Sequence, residues 1–152
     1  MKKLLCLLTT LLLLVSFTAC SGNTSDFSTK VGNEKYKIII NEENGHKITR
    51  TYGDEEKFCI YKDGLLLAED GIVTSGFSTS MAAELIKLES AEKTLSKNDA
   101  VFYAFQQYRN NDVPKDAYTI IVKFNSKPSY LLFEMEGTLQ DVESLFAVMS
   151  VK

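Results

Sequence analysis

An α+β domain, an antiparallel β-meander followed by two helices, a β-hairpin and a C-terminal helix, is the fold class this sequence predicts, and three observations carry it. The first half is punctuated by Asn44-Gly45, Gly53-Asp54, Asp63-Gly64 and Asp70-Gly71, seven to ten residues apart with strand-like runs between them, as in hairpin turns. From Met81 the apolar period lengthens from two towards 3.6. Beyond Tyr118 the sequence alternates again, and after Thr138 the helical period returns. Runs of strands followed by runs of helices favour an antiparallel sheet with its helices on one face.

The elements follow in order. Tyr36 to Ile40, His46 to Tyr52, Glu56 to Tyr61 and Leu65 to Ala68 are the expected strands of the meander, with a short fifth over Ile72 to Thr74. Within the third, Phe58 and Ile60 point to one side and Lys57, Cys59 and Tyr61 to the other, giving one apolar and one mixed face. Met81, Leu85, Leu88 and Leu95 recur at helical spacing, with Ser80 placed to cap and Glu89 four residues before Lys93. Ser96-Lys97-Asn98-Asp99 has the form of a capping box with Asp in the last place, opening a second helix that puts Val101, Phe102, Phe105 and Tyr108 on one face. Asn110-Asn111-Asp112 and Pro114 are expected to stop it. Tyr118 to Phe124 and Tyr130 to Glu136 alternate on either side of a turn at Asn125 to Pro128 and predict a hairpin. Thr138-Leu139-Gln140-Asp141 caps a last helix with Leu139, Val142, Leu145, Phe146 and Met149 inward.

The N-terminus carries an address. Lys2 and Lys3 form a positive region and Leu4 to Val15 an apolar one, and Ser16 to Ala19 lead to Cys20, the layout of a secretory signal. An apolar stretch of about 14 residues spans roughly 21 Å as a helix against a hydrocarbon core of about 30 Å, too short for a stable membrane span. Phe17-Thr18-Ala19-Cys20 resembles the lipobox of bacterial lipoproteins, in which a small residue precedes a cysteine that is lipidated on sulfur and becomes the mature N-terminus. Ala19 and Thr18 fit that pattern, and Phe17 departs from the aliphatic residue usual three places before the cysteine. The resemblance covers residues 1–20 and implies removal of residues 1–19, with Cys6, and a diacyl anchor on Cys20. Residues 20–33 then read as the lipidated end and a flexible linker, because Ser21 to Asn33 holds two glycines and five Ser or Thr residues. Such a linker of 13 residues would hold the domain roughly 20 Å from the lipid on average. Residues 34–152 are expected to form a single α+β domain, enough chain for one core and too little for two.

Charge narrows the partners. Loss of residues 1–19 removes Lys2 and Lys3 and no acid from 17 basic and 20 acidic residues, leaving 15 against 20 and a net charge of −5. Nucleic acid and anionic lipid surfaces both rest on clustered Lys and Arg, so neither is expected as a partner. Contact with the membrane is then expected through the lipid anchor, since two acyl chains suffice without a basic patch.

Catalytic signals are sparse. His46 is the only histidine, placed after Asn44-Gly45 and expected to face solvent, so schemes needing two histidines are excluded. Cys59 is the one cysteine left after lipidation and reads as a buried strand residue, although a Cys59–His46 pair across neighbouring strands is conceivable. Acids cluster at Glu42-Glu43, Asp54-Glu55-Glu56 and Glu69-Asp70 without a calcium-loop pattern and read as solvated turns. Glu134 and Glu136 share a strand face about 6.6–7 Å apart, a spacing paired carboxylates can use, which simple alternation also explains. Glycine-rich phosphate loops and nucleophile elbows are missing, and neither a metal nor a cofactor is implied.

The expectation is a membrane-tethered lipoprotein on the extracytoplasmic face of the cell membrane, a non-catalytic binding or interaction module for a peptide or protein at the cell surface. An accessory subunit of an envelope complex and a small hydrolase are the alternatives. With the helices assigned to one face of the sheet, the uncovered face of the first half is the expected contact surface, carried by Arg50, Tyr52, Lys57 and Tyr61.

Overall fold

The computed structural model describes residues 22–109 and 113–152. The secretory signal, Cys20 and the Asn110-Asn111-Asp112 stop all lie outside these residues. Ten strands and two α-helices follow one another in the order β1 (Thr24–Val31), β2 (Glu34–Asn41), β3 (His46–Thr51), β4 (Asp54–Lys62), β5 (Leu65–Val73), α1 (Phe77–Leu88), β6 (Lys93–Lys97), β7 (Ala100–Arg109), β8 (Val113–Phe124), β9 (Tyr130–Glu136), α2 (Leu139–Val148) and β10 (Met149–Val151). They form two antiparallel sheets, one of three strands in the order β1-β2-β10 and one of seven in the order β3-β4-β5-β9-β8-β7-β6. No helix among the described residues is long and apolar enough to cross a membrane.

The predicted α+β order is therefore corrected to a mostly β architecture, and the second helix is the main reason. Residues 100–109 are strand β7, which pairs with β6 from Lys97↔Ala100 to Lys93↔Ala104. Asn98 takes a positive φ of 55° in the turn between them, so Ser96 to Asp99 is a hairpin and not a capping box. Both faces of β7 are covered. Ala100, Phe102 and Ala104 enter the main core, and Tyr103 and Phe105 join a second cluster on the opposite face. A strand buried on both sides reads as a continuous apolar run, which fits a helical template as well as an alternating one.

Other expectations shift in the same direction. The first helix ends at Leu88, and Leu95 lies in β6. It starts at Phe77 without a side-chain cap, after Gly76 at φ 53° and ψ −122°, so Ser80 falls inside its first turn. The expected linker contains β1, paired with β2 along its whole length from Thr24↔Asn41 to Val31↔Glu34, with Phe27 fully buried. Leu65–Ala68 and Ile72–Thr74 are not separate strands, because Asp70-Gly71 is a bulge within β5 with Asp70 at φ 53°. The predicted hairpin lies within β8 and β9, paired from Ala117↔Glu136 to Lys123↔Tyr130. The last helix has the capping box expected of Thr138 and Asp141, and Met149 leaves it to open β10.

The helices take opposite faces of the large sheet, which corrects the one-face arrangement. On the inner face, the three-stranded sheet supplies Phe27, Tyr36, Ile38 and Ile40, and α2 supplies Val142, Leu145 and Phe146. These close on Phe58, Ile60, Phe102, Ile120, Phe133 and Met135. On the outer face, α1 lays Ala82, Leu85 and Ile86 against Phe105, Ile121 and Leu132. One short helix cannot cover seven strands, so much of the outer face is left open.

Candidate functional site

The opening beside α1 is a cleft of about 890 Å³, within the range of about 300–1,000 Å³ that suits ligand pockets. Strand alternation builds its floor. Ile72, Leu132 and Ile121 are register neighbours across β5, β9 and β8 and make an apolar row. The next row is Glu69, Glu134 and Thr119, followed by Glu136 beside Ala117. Met81, Leu85 and Leu88 of α1, at helical spacing, form one wall, and Leu66 at the start of β5 faces it. Three of these apolar side chains stay open to solvent, Leu88 at 75%, Met81 at 56% and Leu66 at 49%.

Thr74 fixes the helix wall in place. Fully buried, it donates its backbone N–H to the Tyr130 carbonyl at 2.7 Å, and its hydroxyl accepts from the Tyr130 N–H at 3.0 Å. Thr79 of α1 donates to the same hydroxyl at 3.0 Å. The entry of α1 is thus pinned to β9, which also carries Leu132 and Glu134 of the floor.

Carboxylates ring the cleft. Glu84 and Glu89 stand on the helix side, and Glu69, Glu134 and Glu136 on the sheet side. Lys115 approaches Glu136 at 4.0 Å, and Asp70 pairs with Lys57 at 3.6 Å. Glu69, Glu84, Glu89 and Glu134 make no ion pair among the described residues. Glu69 and Glu134 are direct cross-strand partners on one face, an arrangement that destabilises a sheet when both are charged.

The structure separates the residues expected to form a contact surface. Lys57 and Tyr61 lie on the outer face; Lys57 pairs with Asp54 and Asp70, and Tyr61 is the register neighbour of Leu66. Arg50 lies opposite Phe58 and turns towards the small sheet, where it stacks 4.9 Å over the Phe27 ring and donates to the carbonyls of Ser28, at 2.7 Å, and Glu55. Tyr52 projects fully exposed from the turn between β3 and β4.

His46 is buried, where solvent exposure was expected, and neither ring nitrogen has a hydrogen-bond partner among the described residues. Burial foremost, and then the nearby Lys62 ammonium, hold its pKa below the ordinary 6.5; Asp63, Asp141 and the adjacent Asn44 backbone oppose them without prevailing. Lys62 also bonds Asp141 at 2.7 Å and, with the Thr138 backbone and hydroxyl, draws the Asp141 carboxyl down to about 2. Cys59 pairs in register with Thr49 on the outer face, and His46 pairs with Lys62 on the inner one. The sheet therefore separates the conceivable Cys59–His46 pair. No group of three or more His, Cys, Asp or Glu side chains among the described residues is arranged to hold a metal.

Sequence reasoning found Glu69, Glu134 and Glu136 as acids but not the cleft that gathers them. The missing information was the register across the β5 bulge, which sets Glu69 opposite Glu134. Compared with models of protein families, with curated proteins and with solved structures, the chain matches none.

Proposed function

We propose that this chain is a membrane-tethered extracytoplasmic lipoprotein, anchored through Cys20, whose domain is a non-catalytic binding module with its ligand site in the cleft beside α1. The observation that carries the binding role is the half-open apolar cleft, since three large apolar side chains left in water at the mouth of one cavity mark an interaction site. Cys59 and His46 lie on opposite faces of the sheet, which tells against a Cys/His nucleophile pair.

The anchor assignment rests on the lipobox resemblance and on spacing. Strand β1 begins at Thr24, four residues after Cys20, so an acyl group on that cysteine would hold the domain within about 14 Å of the lipid. Strand β1 belongs to the layer on the inner face of the large sheet, and the cleft opens on the outer face. The tether and the opening therefore do not compete for the same surface.

A photo-crosslinking amino acid at Leu88, compared with one at Lys35 in β2, tests this reading in intact cells. Adducts formed from Leu88 and not from Lys35 support it. Equal yields from both positions, or adducts from Lys35 alone, contradict it.

A further inference from the structure

We infer that the ligand is a basic amphipathic peptide segment, lying along the cleft with its apolar side on Ile72, Leu132 and Leu85 and its Lys or Arg side chains among the rim carboxylates. The inference rests on the cleft being the binding site and adds the chemistry of what enters it.

Charge complementarity selects the cation. Glu69 and Glu134 face each other across β5 and β9 with no cation paired to either among the described residues, a repulsive contact that the folded chain tolerates and that a bound ammonium or guanidinium would relieve. The remaining carboxylates select a ligand with several cations. Glu84 and Glu89 lie on the helix wall, opposite the Glu69–Glu134 pair and Glu136, which Lys115 approaches, on the sheet wall, so a ligand with one cationic head could answer only one side. The exposed Met81, Leu88 and Leu66 select an apolar body, because a polyamine would neutralise the rim and leave these side chains in water. An amphipathic segment laid in a groove, apolar residues down and basic residues at the edges, meets all three conditions. The acidic rim argues against an anionic lipid surface as the occupant.

The test uses the full chain reconstituted in phosphatidylcholine nanodiscs, with empty discs as background, titrated with three fluorescent peptides. All share one pattern of leucines and carry Lys, Gln or Glu at the other positions. We expect the Lys peptide to bind about tenfold more tightly than the Gln peptide, and the difference to vanish near about 1 M salt. Glu69→Gln/Glu134→Gln should weaken the Lys peptide about tenfold, leave the Gln peptide unchanged and raise the urea midpoint, opposite effects that simple damage to the fold would not produce. Met81→Gln/Leu88→Gln, at exposed helix positions, should weaken the Lys and Gln peptides alike. Equal binding of these two peptides, both lost in Met81→Gln/Leu88→Gln, would overturn the basic ligand and leave the cleft standing. Binding that ignores both double variants would overturn the cleft itself. Displacement by equimolar spermidine would assign the site to a small polycation, and a Lys-peptide signal no greater than that of empty discs would assign the signal to lipid; either overturns the inference.

Discussion

Gly71→Ala tests the packing on which the floor of the cleft depends. Gly71 has no positive φ, so the penalty arises from space and not from backbone strain. A methyl carbon there would stand 2.7 Å from Cε1 of Phe58 and closer still to Cζ and Cε2, whereas ordinary contact begins near 3.4 Å. The Phe58 ring has little room to retreat. It is fully buried, with the Phe27 ring 5.2 Å away and the Phe133 ring 5.7 Å away between centroids. Overpacking of this kind typically costs about 1–3 kcal/mol, and three close ring atoms in a filled core place this variant near 3 kcal/mol. Urea unfolding followed by far-ultraviolet circular dichroism measures the loss. Combining the change with Phe58→Leu should recover part of it, with a coupling of about 1–2 kcal/mol. A variant within about 0.5 kcal/mol of the wild type, or a cycle without coupling, would refute the reasoning.

Acid should destabilise the protein in two stages. His46 has a folded pKa below 6.5, so the unfolded chain binds the extra proton and stability present above pH 6.5 is lost as pH falls below it. Asp141 adds a contribution present above its ordinary 3.8 and lost as pH falls towards about 2, worth about 1–2 kcal/mol once its partial exposure is allowed for. Unfolding free energies across pH should show both slopes, His46→Leu removing the first and Asp141→Asn the second; slopes that persist in these variants would disprove the assignments. Lys97→Met removes three hydrogen bonds to carbonyls at the end of α2 and the start of β10, those of Phe146, Ala147 and Met149, and should cost about 2 kcal/mol in the same assay. A loss under about 0.5 kcal/mol would show the contact to be dispensable. Cys20→Ser should release the protein from membranes or block its processing, and a variant that is processed and sediments normally would remove the anchor.

Legibility followed the number of faces each segment buries. β4 and β9 each send one face into the main core, with Leu132 of β9 meeting α1 on the other, and their alternation puts Phe58, Ile60, Leu131, Phe133 and Met135 where they are found. β7 is covered on both faces and lost that signal. β1 carries a single large buried residue, Phe27, among Ser and Thr, so its composition reads as a linker although every residue pairs with β2. Asp70-Gly71 has the chemistry of a turn, and only the Phe58 ring lying against Gly71 explains why a glycine is needed inside a strand. The acids of the cleft were visible one by one. Their grouping depends on three register shifts in the pairing of β5 with its neighbours and on which face α1 covers, neither of which is written in local pattern.

Hydrogen exchange of the full chain in nanodiscs, with and without the Lys-bearing peptide, tests most directly the claim that the cleft beside α1 is the binding site. We expect added protection in Leu66 to Asp70, along α1 and in Leu132 to Glu136, with β1, β2 and α2 unchanged. Protection confined to the three-stranded sheet or to the hairpin turn at Tyr52, with α1 exchanging as before, would contradict it.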